Sequence, residues 1–332
     1  MTDQRPLLRV RNLRTEFKSH RGTVRILDNV SFDVGHGRIV GLVGESGSGK
    51  SMTALSLMGL VPSPPATVTA DSIMLDGVEL TTLTKDQLRA KRGRDMSMVF
   101  QEPMTSFNPV KTMAQQVGEP LQIHGKFSKR DVRDKVRQMF EMVGIPEAKA
   151  RLDAYPHELS GGLRQRAMIA MGLICEPKLL IADEPTTALD VTTQAQILRL
   201  IMELRDRVGT AIIMITHDLG IIAEMCDEVN VMYAGQIIEQ ANVYDVFDRA
   251  SHPYTRGLLA SIPKANEKPD GTRLKSISGM VPNLAKLPGG CRFNPRCNDA
   301  MSVCSVKAPD LTLLENGHKA RCWLHDKAGA SL

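Results

Sequence analysis

Apolar and polar positions alternate along "LLRVRNLRTEF" (residues 7–17) and "VRILDNVSFDV" (24–34), the period of strands with one buried face. They lead into "RIVGLVG" (38–44), a near-continuous apolar run that reads as a strand buried on both faces. "MTALSLMGL" predicts a helix that stops at "VPSPP". "DSIMLDGVEL" predicts a short strand pair about an Asp-Gly turn, and "MSMVFQ" another strand. Between Gln101 and Ser160 the pattern turns helical, most clearly in "SKRDVRDKVRQMFEMVGI", where apolar residues recur at three and four behind a serine cap. From "GLRQRAMIAMGLICE" onward the order is helix, strand "KLLIADEP", helix "TTQAQILRLIMELRDRV", strand "AIIMITHD", helix "GIIAEMCDEV" and strand "NVMYAG". That alternation predicts an α/β fold with a parallel sheet covered on both faces. After about residue 251, Pro, Gly, Asn and Lys become frequent and periodicity weakens, which reads as an appended module.

Composition narrows the class. The chain has 332 residues, 42% of them hydrophobic, enough for one large or two modest domains with a substantial core. Its longest apolar runs, such as "AMIAMGLIC", are about half of what a membrane span needs, and "MTDQRPLLRVRNLRTEF" lacks a signal-peptide core. A soluble or peripheral, cytoplasmic protein is expected. The net charge of +5 comes from 42 basic and 37 acidic residues without a block of either sign, so nucleic-acid binding gains little support and an anionic membrane surface fits equally well.

The chemistry begins at "GESGSGKS", Gly44 to Ser51. Glycines let the backbone curl until successive N–H groups converge on phosphate oxygens, and the following helix presents its positive end to the same anion. Lys50 adds a full charge and Ser51 a hydroxyl for Mg²⁺, which completes G-x-x-x-x-G-K-[ST] in the strand-to-helix context the pattern needs. The alternative for this stretch is a plain Gly/Ser turn. In "KLLIADEPTTALD" the apolar residues Leu179 to Ala182 predict a buried strand that delivers Asp183 and Glu184 at its carboxyl end, where parallel sheets bind ligands. There Asp183 would hold Mg²⁺ and Glu184 would polarise the attacking water. The alternative is an Asp-Glu pair that only caps the next helix.

"LSGGLRQR", Leu159 to Arg166, lies just ahead of that strand and is similar to the signature sequence of ATP-binding-cassette (ABC) ATPases. The resemblance covers about residues 7–250. It implies a P-loop ABC ATPase fold, with a RecA-like core, an antiparallel β subdomain and a helical subdomain inserted at about 102–165. It implies ATP and Mg²⁺ as cofactors, with Gly44, Glu45, Ser46, Gly47, Ser48, Gly49, Lys50, Ser51 and Met52 around the phosphates. By the same resemblance Lys50, Glu184 and His217 are catalytic, His217 in "MITHD" being the switch histidine. Gln101 in "VFQEP" is the Q-loop glutamine that touches Mg²⁺ with Ser51 and Asp183, and Asp190 in "ALD" is the D-loop residue. Ser160, Gly161 and Gly162 would act in trans on the nucleotide of an opposite subunit. The chain departs from the commonest signature at Leu163, where glutamine is usual. Phe17 is the candidate to stack on adenine, or a plain core residue, since the extra "SHRG" after it disturbs the alignment.

The tail extends the resemblance. "HPYTRGLLASIP" (252–263) and "GCRFNPRC" (290–297) resemble the C-terminal region of the ATPase subunits of oligopeptide and dipeptide importers. This implies a 1–250 nucleotide-binding domain and a 251–332 extension. The partners implied are a second, related ABC ATPase in a heterodimer, two integral membrane permeases and an extracytoplasmic peptide-binding protein. The location implied is peripheral, on the cytoplasmic face of the bacterial inner membrane. Nickel and glycoside importers carry similar extensions, and a soluble ABC ATPase acting on DNA or ribosomes is the rival class. Against that rival, only 58 residues separate Gln101 from Ser160, too few for a long coiled coil. Cys291, Cys297, Cys304 and Cys322 crowd the tail with five, six and seventeen residues between them, unlike paired zinc-ribbon spacings. Four thiolates could hold a [4Fe-4S] cluster, one Zn²⁺, or nothing, and the importer resemblance favours the cluster.

Overall fold

The computed structural model describes residues 5–19, 22–102, 106–187, 189–262 and 277–325. His20 and Arg21 of "SHRG", Pro103 of "VFQEP", Ala188 of "ALD" and Pro263 of the tail motif lie outside the described residues. The strands are β1 (Leu8–Ser19), β2 (Gly22–Val34), β3 (Ile39–Val43), β4 (Ala66–Thr69), β5 (Ser72–Leu75), β6 (Val78–Glu79), β7 (Met96–Val99), β8 (Leu179–Asp183), β9 (Ala211–Ile215), β10 (Glu228–Tyr233), β11 (Gln236–Asn242), β12 (Thr312–Leu313) and β13 (Lys319–Ala320). The chain divides into two compact units, one of Met1–Leu8, Val34–Ile39 and Met74–Met214, the other of Arg9–Asp33, Val40–Ile73 and Ile215–Leu332.

In the first unit β7 and β8 run parallel, Met96 opposite Leu179 through Val99 opposite Ala182, and every residue of both strands is buried. Burial on two faces is what their unbroken apolar composition requires. The helix Gly161–Leu173 covers them so closely that a methyl at Gly172 would meet Val99 at 3.3 Å and Leu180 at 3.4 Å. The Asp-Gly signal is realised between β5 and β6, with Asp76 and Gly77 both at positive φ and Leu75 opposite Val78, the geometry of a two-residue hairpin turn. In the helical insertion, Lys129–Met142 starts at a Ser128 cap with a reciprocal bond from Asp131. It buries Val132, Val136 and Phe140 at four-residue spacing and leaves its charged positions to water.

In the second unit β3 pairs in parallel with β10, Val40 opposite Glu228 through Val43 opposite Val231. β10 turns back into β11 across Ala234 and Gly235, both at positive φ. β4, which the sequence pattern did not signal, pairs antiparallel with β1, placing Phe17 opposite Ala66. The tail joins the sheet of this unit: β13 pairs with β11, Ala320 opposite Glu239, and β12 pairs with β13. Sequence reading left this region irregular because two-residue strands carry no periodicity; their partner supplies the order. No helix among the described residues is long and apolar enough to cross a membrane.

Candidate functional site

The phosphate loop follows β3, whose five residues are all buried, and opens into the helix Lys50–Leu57. Gly44 sits at φ 149°, and a Cβ there would fall 2.2 Å from the Met232 carbonyl oxygen, so this position excludes any side chain. Gly49 precedes the helix at φ 107° with no side-chain cap, and a Cβ on it would meet Leu27 at 2.8 Å. The Lys50 ammonium, buried with its side chain, donates to the carbonyl oxygens of Gly44 (2.7 Å) and Glu45 (3.1 Å). Ser48 is fully buried, and its hydroxyl has no hydrogen-bond partner among the described residues. An orphaned hydroxyl, a buried cation and an uncapped helix start on one glycine-rich loop suit an anionic ligand, which would satisfy the groups the protein itself leaves open.

Two features of this loop were not legible beforehand. The Glu45 carboxylate is held by both arms of the Arg296 guanidinium, at 2.7 and 3.0 Å, and the Glu45 N–H donates to the Tyr254 hydroxyl at 2.8 Å. The guanidinium–carboxylate bond with Glu45 is the chief reason the Arg296 pKa stands above its ordinary value. Tyr254 is fully buried among Tyr233 and Phe293, ring centroids 4.7 and 5.4 Å away, and that burial pushes its phenol up. Nearby, Arg292 donates to the Asp28 carboxylate and to the Ala234 carbonyl. Tyr254 and Arg296 stand in the two tail motifs, but nothing in their spacing reveals that they reach a loop some 200 residues earlier in the chain.

In the same unit His217 is exposed at the end of β9, next to Asp218, which caps the helix Leu219–Met225 through the Gly220 N–H. Phe17 lies half-buried on β1.

The first unit carries the acidic set. Asp183 ends β8 and is buried. Glu184 follows at φ 46°, a left-handed conformation that costs a non-glycine residue roughly 1–2 kcal/mol. Its Oε2 accepts from the Gln101 amide (3.1 Å) and the Thr187 hydroxyl (2.8 Å), so the structure joins two predicted residues directly. Ser160 caps the helix Gly161–Leu173, its hydroxyl accepting from the Leu163 N–H at 3.4 Å, a bond that needs no side chain at 163. Space is open where a Cβ on Gly161 would point, whereas one on Gly162 would press Thr193 at 3.1 Å. Asp190 caps Val191–Val208, accepting from the Thr193 N–H (3.0 Å) and hydroxyl (2.7 Å), and these bonds hold its carboxyl below the usual range.

The tail cysteines are all outside disulfides. Burial pushes the thiols of Cys291 and Cys297 up and that of Cys322 to about 11, and the four lie within electrostatic reach of one another. Cys304 packs with Val303 and Trp323, and Cys291 lies against that cluster. Among the described residues, however, no group of three or more His, Cys, Asp or Glu is placed to hold a metal ion. The expected four-cysteine metal site is therefore not supported by this arrangement.

A glycine-rich loop with a buried lysine, set between a buried strand and a helix in an α/β fold, defines a P-loop nucleotide-binding protein. Residues 27–187 match the ABC transporter family, and residues 238–304 match the C-terminal region of oligopeptide/dipeptide transporters. The chain is 48% identical over 324 residues to the oligopeptide transport ATP-binding protein AppD of Bacillus subtilis, covering 98% of each. It is 47% identical to the oligopeptide transport ATP-binding protein OppD of Haemophilus influenzae, covering 96% of this chain and 97% of that one. A solved dimeric ATP-binding cassette bound to ADP and Pi in a post-hydrolysis state superposes with a TM-score of 0.64 at 26% identity, over 71% of this chain and 98% of that one. The chain belongs to the ATP-binding proteins of ABC transporters, within the oligopeptide/dipeptide branch, and it is an ATPase with the ABC fold.

Proposed function

We propose that this chain is a motor subunit of a bacterial importer of di- and oligopeptides, hydrolysing ATP at the cytoplasmic face of the membrane to drive uptake. The observation that carries the reading is the phosphate loop with its buried Lys50 and unpartnered Ser48 hydroxyl, in a chain whose tail matches the peptide-transporter C-terminal region. Residues 1–250 form the nucleotide-binding domain and 251–332 its extension. Residues Gly44 to Met52 surround the phosphates, and Phe17 stacks on adenine. Ser51, Gln101 and Asp183 would hold Mg²⁺, which would neutralise phosphate charge. Glu184 takes the proton of the attacking water, aligned by Gln101 and Thr187, and His217 contacts the γ-phosphate. Ser160, Gly161 and Gly162 serve the nucleotide of a second, related ATPase, and Asp190 lines the same junction.

In this reading ATP favours the closed ATPase pair, two permeases follow that change, a binding protein delivers peptide, and hydrolysis resets the cycle. Such coupling is a population shift set by the difference in ATP affinity between the two states. The test is uptake of labelled di- and oligopeptides in the native host with Glu184→Gln at matched abundance. Uptake should be abolished, and the peptide lengths lost define the substrate class; unchanged uptake assigns the motor to another cargo, nickel or a glycoside first. For the tail, the proposal of a [4Fe-4S] cluster or one Zn²⁺ on Cys291, Cys297, Cys304 and Cys322 rests on four cysteines within a short stretch of sequence and on the resemblance of the tail to peptide-importer subunits, not on a metal-binding group among the described residues. The chain purified without oxygen should then contain iron or zinc, and neither metal in that preparation removes the proposal.

A further inference from the structure

Glu45 poses an electrostatic problem. A carboxylate inside a loop built for a polyphosphate repels its ligand, and burial would strengthen that repulsion. Arg296 answers it with a two-armed bond to the carboxylate at 2.7 and 3.0 Å. The guanidinium is itself fixed before any ligand arrives: its Nε donates to the Ser278 carbonyl (2.8 Å), it reaches the Tyr233 hydroxyl (3.4 Å), and only 6% of its side chain is exposed. A planar fork held in this way is preorganised for one carboxylate orientation. The Tyr254 hydroxyl takes the N–H of the same residue, and the Lys50 ammonium donates to the carbonyls of Gly44 and Glu45. Lys50 of the loop and Tyr254 from the extension thus hold the Gly44–Glu45 backbone, while Arg296 holds the Glu45 carboxylate.

We propose that Arg296 and Tyr254, both in the C-terminal extension, are positioning residues of the phosphate loop. They cancel the charge of Glu45 and hold the Gly44–Glu45 backbone, and through it they set where Lys50 stands toward the phosphates of a nucleotide. The inference rests on the reading of the loop as the ATP site. It gives the extension a part in nucleotide binding beyond attachment: any event that shifts "FNPR", which lies between Cys291 and Cys297, acts on ATP affinity through this contact.

The experiment is calorimetric titration of the full chain with MgATP. Arg296→Gln should weaken binding about tenfold, the scale of a lost charge-assisted pair that leaves its carboxylate uncompensated. Glu45→Gln placed in the same chain should bring affinity back to within about twofold of the unaltered protein, because a neutral pair of the same shape removes the repulsion. A merely structural arginine would show no such rescue. Unchanged affinity in Arg296→Gln, or a double variant as weak as the single one, overturns the proposal. Should Arg296→Gln not fold, Arg296→Lys keeps the charge and loses the fork; binding about threefold weaker at unaltered unfolding temperature supports the proposal, and unaltered binding overturns it. Lys50→Ala separates the two levels, since full MgATP affinity in that variant would remove the ATP-site reading itself rather than the role of Arg296.

Discussion

At the scale of single residues, the acidic pair shows how local geometry prepares chemistry. Glu184 is held at positive φ, and its Oε2 is anchored by Gln101 and Thr187, so its direction is set by bonds and not by chance rotamers. A general base, the role proposed for Glu184, contributes about 10²–10⁴-fold to a hydrolysis rate. Glu184→Gln should therefore lower ATP turnover at least about a hundredfold while leaving the amide to accept the same two hydrogen bonds, and a trapped nucleotide-bound dimer should appear on size exclusion. Full turnover in that variant would take the base role away from Glu184. The residue types at Gly44, Lys50 and Asp183 were all legible in the sequence, because each is demanded by a short-range requirement: a missing Cβ, a charge, a carboxylate at a strand end. Glu45 read as one more loop residue, and its partners were invisible because Arg296 and Tyr254 approach it through tertiary packing.

At the scale of elements, caps and periodicity did most of the work. Ser128 accepts from the Asp131 N–H while Asp131 reaches back to Ser128, and the apolar face of Lys129–Met142 then closes over the insertion. Ser128→Ala should destabilise the folded chain by about 1 kcal/mol, read from chemical denaturation, with MgATP affinity unaltered. A larger loss would mean that the cap also anchors the insertion. The helix Gly161–Leu173 shows the limit of pattern reading. It is buried on nearly every side, so its sequence "GLRQRAMIAMGL" lacks a clean polar stripe, and its start is set by Ser160. The pattern predicted the strands and helices of the core but not the helix Lys85–Lys91, β11, or the helices Val243–Arg249 and Pro253–Ala260, each only seven or eight residues long; the two-residue β12 and β13 and the four-residue β4 escaped because a short strand is defined by its neighbour.

At the scale of the whole molecule, the tail is tied to β11 through one buried carboxylate. Burial pushes the Glu239 carboxyl up, but the bonds from His318 (2.7 Å) and from the Ser251 and His252 N–H groups (2.6 and 2.9 Å) outweigh it and keep the group below its usual range. His252 beside it is fully buried, which pushes its pKa down to about 4, and its Nδ1 accepts the Tyr254 N–H. A histidine kept neutral in the folded state stabilises it above the unfolded pKa of about 6.5, and that stability is lost as pH falls from there to about 4. The loss is roughly 3 kcal/mol over the window. His252→Asn, which retains an acceptor for the Tyr254 N–H but cannot titrate, should flatten the fall in unfolding temperature between pH 6.5 and 4; an unaltered slope would place the acid sensitivity elsewhere.

The amino-acid sequence alone determined the class of fold, the phosphate loop and the acidic strand end, since each rests on residues close together in the chain and on periods of two or 3.6, while the signature helix and the family of the tail were read from their resemblance to ABC ATPases and peptide-importer subunits. Tertiary structure alone decided what the tail touches. It added β13 to β11, placed Tyr254 and Arg296 on Glu45, and packed the cysteines among apolar neighbours without forming a metal-binding group among the described residues. Those outcomes depend on which surfaces meet when distant segments are buried together. Burial and long-range pairing follow from the whole chain's packing, and no local spacing encodes them.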